Sequence, residues 1–294
     1  VIALDRLLGH LWIVGPGRLG LAMGWQLLAS GRIGRMTFAG RAAQPPEHPV
    51  FQRADASYTT GLPSSADAPT LILLTVSDGA VAEIASDLAR RQLPPVPVLH
   101  TSGVLSSEVL APLADVGHPV GSVHPLVAVA HPVKSADRLL HAWYGLEGTS
   151  AAVEAGCIVV GLLKGMALPV DPSMRSAYHA AAVFASNYVV ALLAVAESLL
   201  MEAGVDEGSA RQVAAALAGG AVDSVEAGSP VTALTGPVSR GDAETVALHL
   251  AGLSPELRPL YSELARTTLR IAQSRGLSPE AADRIVRMLE AASQ

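Results

Sequence analysis

The sequence predicts an α/β protein, with a doubly wound N-terminal domain over residues 1–172 and an all-α C-terminal domain over 173–294. Three observations predict it. From Leu11 onward, short β-rich runs alternate with amphipathic stretches of helical length, the pattern of a parallel sheet covered by helices. The strand-like runs stop at Asp171-Pro172, and everything beyond is helical in period. A glycine-rich turn, Gly15-Pro16-Gly17-Arg18-Leu19-Gly20, joins the first strand to the first helix.

Taken in order, residues 11–14 read as a strand, 18–30 as a helix and 35–39 as a second strand, and Pro45, Pro46 and Pro49 mark a surface loop. Residues 71–76 form a continuous apolar run, as expected of a central strand buried on both faces. Helix 79–91, strand 97–100, helix 106–114 and strand 120–124 follow. Strand 143–147, helix 151–164 and strand 167–170 close the domain. The second half reads as helices 173–203, 206–227, 241–251, 255–275 and 279–292, punctuated by Gly204, Gly228, Pro230, Pro255 and Gly276.

Half of the 294 residues are hydrophobic and 16% are charged, enough apolar material for a large core and a length that favours two domains. A net charge of -6 without any basic run argues against nucleic acid as a partner. The single cysteine, Cys157, excludes an internal disulfide and fits a reducing cytoplasm. Apolar stretches are broken by Gly, Pro or charge before reaching bilayer length, and Asp5 and Arg6 replace a signal peptide's basic-then-apolar order. The expectation is a cytoplasmic protein with no membrane partner. Nine histidines do not make a metal centre, because no His-x-x-x-His or cysteine pair is present. A Gly-x-Ser-x-Gly elbow for a serine hydrolase is also missing.

The glycine turn has the spacing of a dinucleotide cradle. Gly15 permits the tight turn, Gly17 admits a pyrophosphate to the backbone, and Gly20 lets helix and strand pack closely, while Arg18 and Leu19 contribute first-turn N–H groups. Where an acidic residue would bind the adenosine ribose of NAD, at the end of the second strand, the chain has Gly40-Arg41. An arginine there suits a 2′-phosphate, which predicts NADP(H).

Three polar clusters stand at predicted strand ends, the ligand-binding edge of an open α/β sheet. Thr75, Val76 and Ser77 are candidates for the nicotinamide side of the cofactor. Ser102 and His124 are candidates for contacting a carbonyl or hydroxyl, with His124 able to supply a proton. In the helical half, Ser176, His179, Val183, Ser186, Asn187 and Val190 fall on one helix face, a substrate wall or a polar network between helices. Thr235 and Arg240 lie in a stretch leading to a helix capped by Asp242, and Arg240 is a candidate for holding a substrate carboxylate.

The segments IVGPGRLG, LTVSD, HTSG, GSVHPL, YHAAAVFASNY and ALTGPVSRGDAETVALHL carry a resemblance. Along nearly its whole length the chain resembles bacterial Rossmann-like proteins with a C-terminal domain known as DUF2520. They belong to a larger group that includes 6-phosphogluconate dehydrogenase, pyrroline-5-carboxylate reductase, ketopantoate reductase and prephenate dehydrogenase. The resemblance implies an NADP-dependent oxidoreductase acting on a CH–OH/C=O pair, with a helical domain that forms a homodimer and an active site between the domains. Compared with prephenate dehydrogenases, His124-Pro125 matches the catalytic His-Pro segment and Ser102 a substrate-contacting serine, but Ser186-Asn187 stands where those enzymes have Ser-His. The lysine acid of ketopantoate reductases, expected on the first helix of the second domain, is also missing, leaving His179 and Asn187 as the nearby polar groups. The resulting expectation is NADPH-dependent reduction of a small carboxylate-bearing keto acid, with ketopantoate as the best single candidate. In this scheme His124 or His179 donates the proton, Ser102 and Asn187 orient the carbonyl, and Ser186, Thr235 and Arg240 bind substrate. Prephenate-like oxidation of a cyclic acid and a non-catalytic dinucleotide-binding sensor or scaffold dimer remain alternatives.

Overall fold

The computed structural model describes residues 8–291; Asp5, Arg6 and the last residue of the predicted helix 279–292 lie outside them. Among the described residues eight strands form one sheet: β1 (Leu8–Val14), β2 (Ile33–Gly40), β3 (Ala56–Thr60), β4 (Leu71–Leu74), β5 (Val98–His100), β6 (Val120–Pro125), β7 (Trp143–Gly148) and β8 (Met166–Pro169). Their order is β3-β2-β1-β4-β5-β6-β7-β8. The first six strands are parallel, and the order reverses between β1 and β4, where such sheets open a ligand crevice. Strand β7 runs antiparallel to β6, and β8 parallel to β7. The 126–142 connection carries only a short 3-10 turn, Ala136–Leu139, so no crossover helix returns the chain to the parallel direction. Helices α1 (Arg18–Ala29), α2 (Asp78–Ala89), α3 (Ala111–Asp115) and α4 (Ser150–Leu162) cover the sheet.

The period of two along the strands sorts their side chains onto two cores. Leu11, Ile13, Leu71 and Leu73 pack with Leu21 and Leu28 of α1 and Ala152 and Val159 of α4. Trp12, Val14, Ile72 and Leu74 pack on the other face with Val81, Ala85 and Leu88 of α2 and Leu113 of α3. Both faces are covered, which is why residues 11–14 of β1 and 71–74 of β4 are apolar at every position. Each such Leu, Ile or Val contributes about 1.5–3 kcal/mol by leaving water. Strand β3, absent from the sequence reading, is a polar edge strand whose Ser57, Tyr58, Thr59 and Thr60 leave no buried side chain.

After a 3-10 turn at Pro172–Met174, the chain is helical: α5 (Arg175–Ala185), α6 (Asn187–Glu202), α7 (Glu207–Glu226), α8 (Pro230–Ala233), α9 (Pro237–Arg240), α10 (Ala243–Gly252), α11 (Arg258–Ser274) and α12 (Pro279–Ala291). Asp206 and Asp242 cap α7 and α10 by accepting from the N–H groups of Ser209 and Thr245. The predicted helix 173–203 is interrupted at Ser186, where φ is −129° and ψ −68°. Its hydroxyl bonds back to the Ala182 carbonyl at 2.7 Å, a contact that bends helices. Pro172–Glu202 is nonetheless long and apolar enough to cross a membrane by length and composition, contrary to the expectation that no stretch reaches that length.

The chain forms two compact units, the first ending at Val189 and the second beginning at Val190. The first thus holds the sheet together with α5. The second has its own core of Val238, Val246, Leu250, Leu269, Ile285 and Leu289.

Candidate active site

Gly15 lies at the β1 terminus with φ +102°, a conformation that disfavours any side chain. A Cβ there would also lie 2.6 Å from Val76. Its N–H donates to the Ala39 carbonyl at 2.9 Å and its carbonyl accepts from Gly17 at 2.8 Å. The Thr75 hydroxyl donates to the same Gly15 carbonyl at 2.7 Å, so Thr75 holds the glycine turn in shape. A Cβ on Gly20 would collide with that carbonyl and hydroxyl. Gly17, by contrast, is exposed, and nothing lies within 4 Å of a Cβ built on it. No side chain caps α1, leaving its first N–H groups to a ligand.

A cleft of about 1260 Å³ opens in front of this turn, lined among others by Gly17, Arg41, Tyr58, Val76 and Ser77. Arg41 is exposed at the end of β2. The loop carrying it is pinned by β3, because Tyr58 and Thr60 donate to the Ala42 carbonyl at 2.6 and 3.1 Å. Ser77 precedes α2 without making a side-chain cap. An open backbone cradle, an uncapped helix start and a cation at the second strand's end fit a dinucleotide. Arg18 is exposed and Leu19 packs on the core, so the backbone is what those positions present to the turn.

A second cluster occupies the ends of β5, β6 and β7 beneath α5. His124 Nδ1 lies 2.8 Å from the Tyr178 hydroxyl, and its ring centroid is 6.0 Å from that of His179. Gly103 brings these rings together, since a Cβ there would lie 2.5 Å from His179 Nδ1 and 2.8 Å from His124 Nε2. Arg175, only 2% exposed, donates to the Ser122 hydroxyl at 2.8 Å and the Ser102 carbonyl at 2.6 Å. It stands 3.9 Å from the buried Glu147 carboxylate, which also accepts from the Ser107 N–H at 2.9 Å. Arg175 Nε and His179 Nδ1 are buried with no hydrogen-bond partner among the described residues.

Burial and the Arg175 charge hold both His100 and His124 down to about 4, so both are neutral at pH 7. His100 Nδ1 accepts from the Ser102 N–H and its Nε2 faces the Ser106 carbonyl, each at 3.2 Å, which secures the loop. The Ser102 hydroxyl accepts from the N–H groups of Val104 and Leu105.

The structure thus brings together His124, His179 and Ser102 at one sheet edge. Asn187 is exposed, its amide oxygen 3.0 Å from the Ser186 hydroxyl, and it begins α6 beyond the break that separates it from His179 on α5. Thr235 lies between α8 and α9 and Arg240 ends α9, both exposed and in the second unit. Sequence reasoning missed Arg175, Tyr178 and Glu147. The available signal was helical spacing, since Arg175 lies three residues before Tyr178 and four before His179.

Sheet order and cleft define an α/β protein of the nucleotide-cradling type with a helical second part. Residues 5–125 match the Rossmann-like domain family and residues 142–268 the domain of unknown function DUF2520, so the chain is a Rossmann-like and DUF2520 domain protein. Among solved structures, a Thermotoga maritima protein is 23% identical with a TM-score of 0.67, over 90% of this chain and 99% of that one. A Bacteroides fragilis protein, provisionally named an NADP oxidoreductase, is 21% identical with a TM-score of 0.71, over 91% and 100%. Plasmodium falciparum pyrroline carboxylate reductase with NADP bound is 12% identical with a TM-score of 0.56, over 95% and 97%. These likenesses establish the fold. Comparison with curated proteins finds no match.

Proposed function

We propose that this protein is an NADP(H)-dependent oxidoreductase that reduces a small keto acid, with 2-dehydropantoate as the leading substrate. One observation carries the reading: the glycine cleft and the His124 cluster share the C-terminal edge of the sheet, through the neighbouring ends of β4, β5 and β6. A cofactor laid on the glycine turn supplies hydride, and the protein's own groups orient the acceptor oxygen and protonate it. The named NADP relationships of two structural neighbours support the cofactor, and Arg41 supports the 2′-phosphate. A second reading, oxidation of a cyclic acid, is favoured by the neutrality of His124, a state that can take a proton from a hydroxyl.

NADPH consumption over a panel of 2-keto acids and cyclic imines tests the proposal. Turnover with a keto acid is expected, and none with any compound would refute it. Tight NADPH binding without turnover would instead mark a sensor. In the same assay, Arg41→Ala is expected to weaken NADPH binding about tenfold or more, the scale of one charge-assisted contact, with NADH unaffected. An equal loss for both cofactors would remove Arg41 from phosphate recognition.

The helical part suits pairing with a second copy. Helix α6 buries no side chain, and Phe184, Val190, Leu217 and Val222 are each more than half exposed. Helices owe most of their stability in proteins to a packed apolar face, and a symmetric partner would cover both copies with the same surface. Light scattering is expected to give twice the chain mass; a monomer, or a species that sediments only with vesicles, would overturn this assembly.

A further inference from the structure

We infer that Tyr178 is a positioning residue that donates its phenolic proton to His124 Nδ1, fixing His124 as an Nε2–H donor and resupplying it during turnover. Its chemistry rests on the reductase reading, whereas its geometry does not.

Tyr178 Oη and His124 Nδ1 are 2.8 Å apart, and the acidity of the two groups decides which atom owns the shared proton. Gly145 pairs with His124 across β6 and β7 and leaves room for the Tyr178 hydroxyl, with which a Cβ on Gly145 would collide. A phenol is the stronger hydrogen-bond donor and a neutral imidazole nitrogen the stronger acceptor, so Tyr178 offers its hydrogen to His124 Nδ1. The imidazole then carries its single hydrogen on Nε2, the atom that closes on Gly103. Neutral at pH 7, His124 has no second proton of its own to give.

The arrangement solves that shortage. As hydride from the reduced nicotinamide adds to the carbonyl carbon, the oxygen gains the Nε2 proton and becomes a hydroxyl. Nδ1 takes the Tyr178 proton, so His124 ends neutral and one negative charge rests on the Tyr178 oxygen. An alkoxide is a stronger base than a phenolate, so the transfer runs downhill despite the burial that pushes the Tyr178 hydroxyl up. The Arg175 guanidinium, 5.9 Å from the Tyr178 ring centre, meets the charge until water returns the proton. The charged and titratable groups around His124 are Arg175, Tyr178 and His179 from α5, His100 from β5 and Asp78 from α2, with Glu147 behind Arg175.

Nitrogen-15 NMR of the histidine rings tests this in the protein free of cofactor and substrate. Wild type is expected to show His124 as the Nε2–H tautomer at pH 7, and Tyr178→Phe a mixture of tautomers. The variant should keep its NADPH affinity while turnover falls about 100-fold, the scale of a lost proton-transfer aid. A wild-type Nδ1–H tautomer would overturn the inference, making Tyr178 the acceptor and His124 Nε2 a base. An unchanged tautomer in Tyr178→Phe would overturn it as well. Failure of the reductase reading is distinguishable, because it appears as absent NADPH turnover whatever the tautomer.

Discussion

Gly103→Ala is expected to lower turnover by about 100-fold or more while leaving NADPH affinity within about twofold, because a displacement near 1 Å at reacting groups costs that much. The added carbon would sit 2.5 Å from His179 Nδ1 and 2.8 Å from His124 Nε2, well inside van der Waals contact. The backbone at Gly103 is not among the positive-φ positions, so the effect is steric and not conformational. Neither ring has free room. His124 is held from behind by Tyr178 at 2.8 Å, and retreat would break that bond; His179 Nδ1 is already buried. Overpacking of this kind also costs about 1–3 kcal/mol of stability. Adding His179→Ala should restore much of the stability by vacating one side of the clash. Steady-state kinetics, NADPH titration and urea unfolding of both variants provide the check. Wild-type turnover in Gly103→Ala would show that the two rings do not meet substrate.

What the sequence reveals about this fold follows the range of the forces involved. The glycine turn is readable because its constraints are local: a positive φ at Gly15 and close packing at Gly20 each restrict one residue. Residues 11–14 of β1 and 71–74 of β4 are readable because burial on both faces demands an apolar run. Strand β3 escapes because Ala56–Thr60 is held by pairing with β2 at a polar edge, which leaves no apolar alternation. The direction of β7 escapes too, since the form of the 126–142 connection sets it. At the candidate site, His124, His179 and Ser102 stand out as polar residues at strand ends or on a helix face. Arg175 and Tyr178 do not, because their partners lie about 50 residues or more away, at Ser122, Ser102 and His124. Only the fold assembles that network.

Arg175→Met is expected to destabilise the protein by on the order of 3 kcal/mol at pH 7.5, because removing one partner leaves the other charge buried without its counterion. Glu147, itself 8% exposed, would retain only the Ser107 groups, and the Ser102 carbonyl and Ser122 hydroxyl would lose their donor. Adding Glu147→Gln should recover part of the loss by removing the stranded charge, a coupling that a double-mutant cycle measures. The deficit should also depend on pH. His100 and His124 are held near 4 in the folded protein against about 6.5 when unfolded. The unfolded chain therefore binds more protons between those values, so their contribution is full above about pH 6.5 and is lost as pH falls toward 4. Arg175 is part of what holds both values down, and without it they rise and the acid penalty shrinks. Urea unfolding should then show a larger gap between wild type and Arg175→Met at pH 7.5 than at pH 5. A gap that stays constant or widens on acidification would mean that burial alone keeps the two imidazoles neutral. In that case the guanidinium would act on the site only through its hydrogen bonds to the β5 and β6 ends.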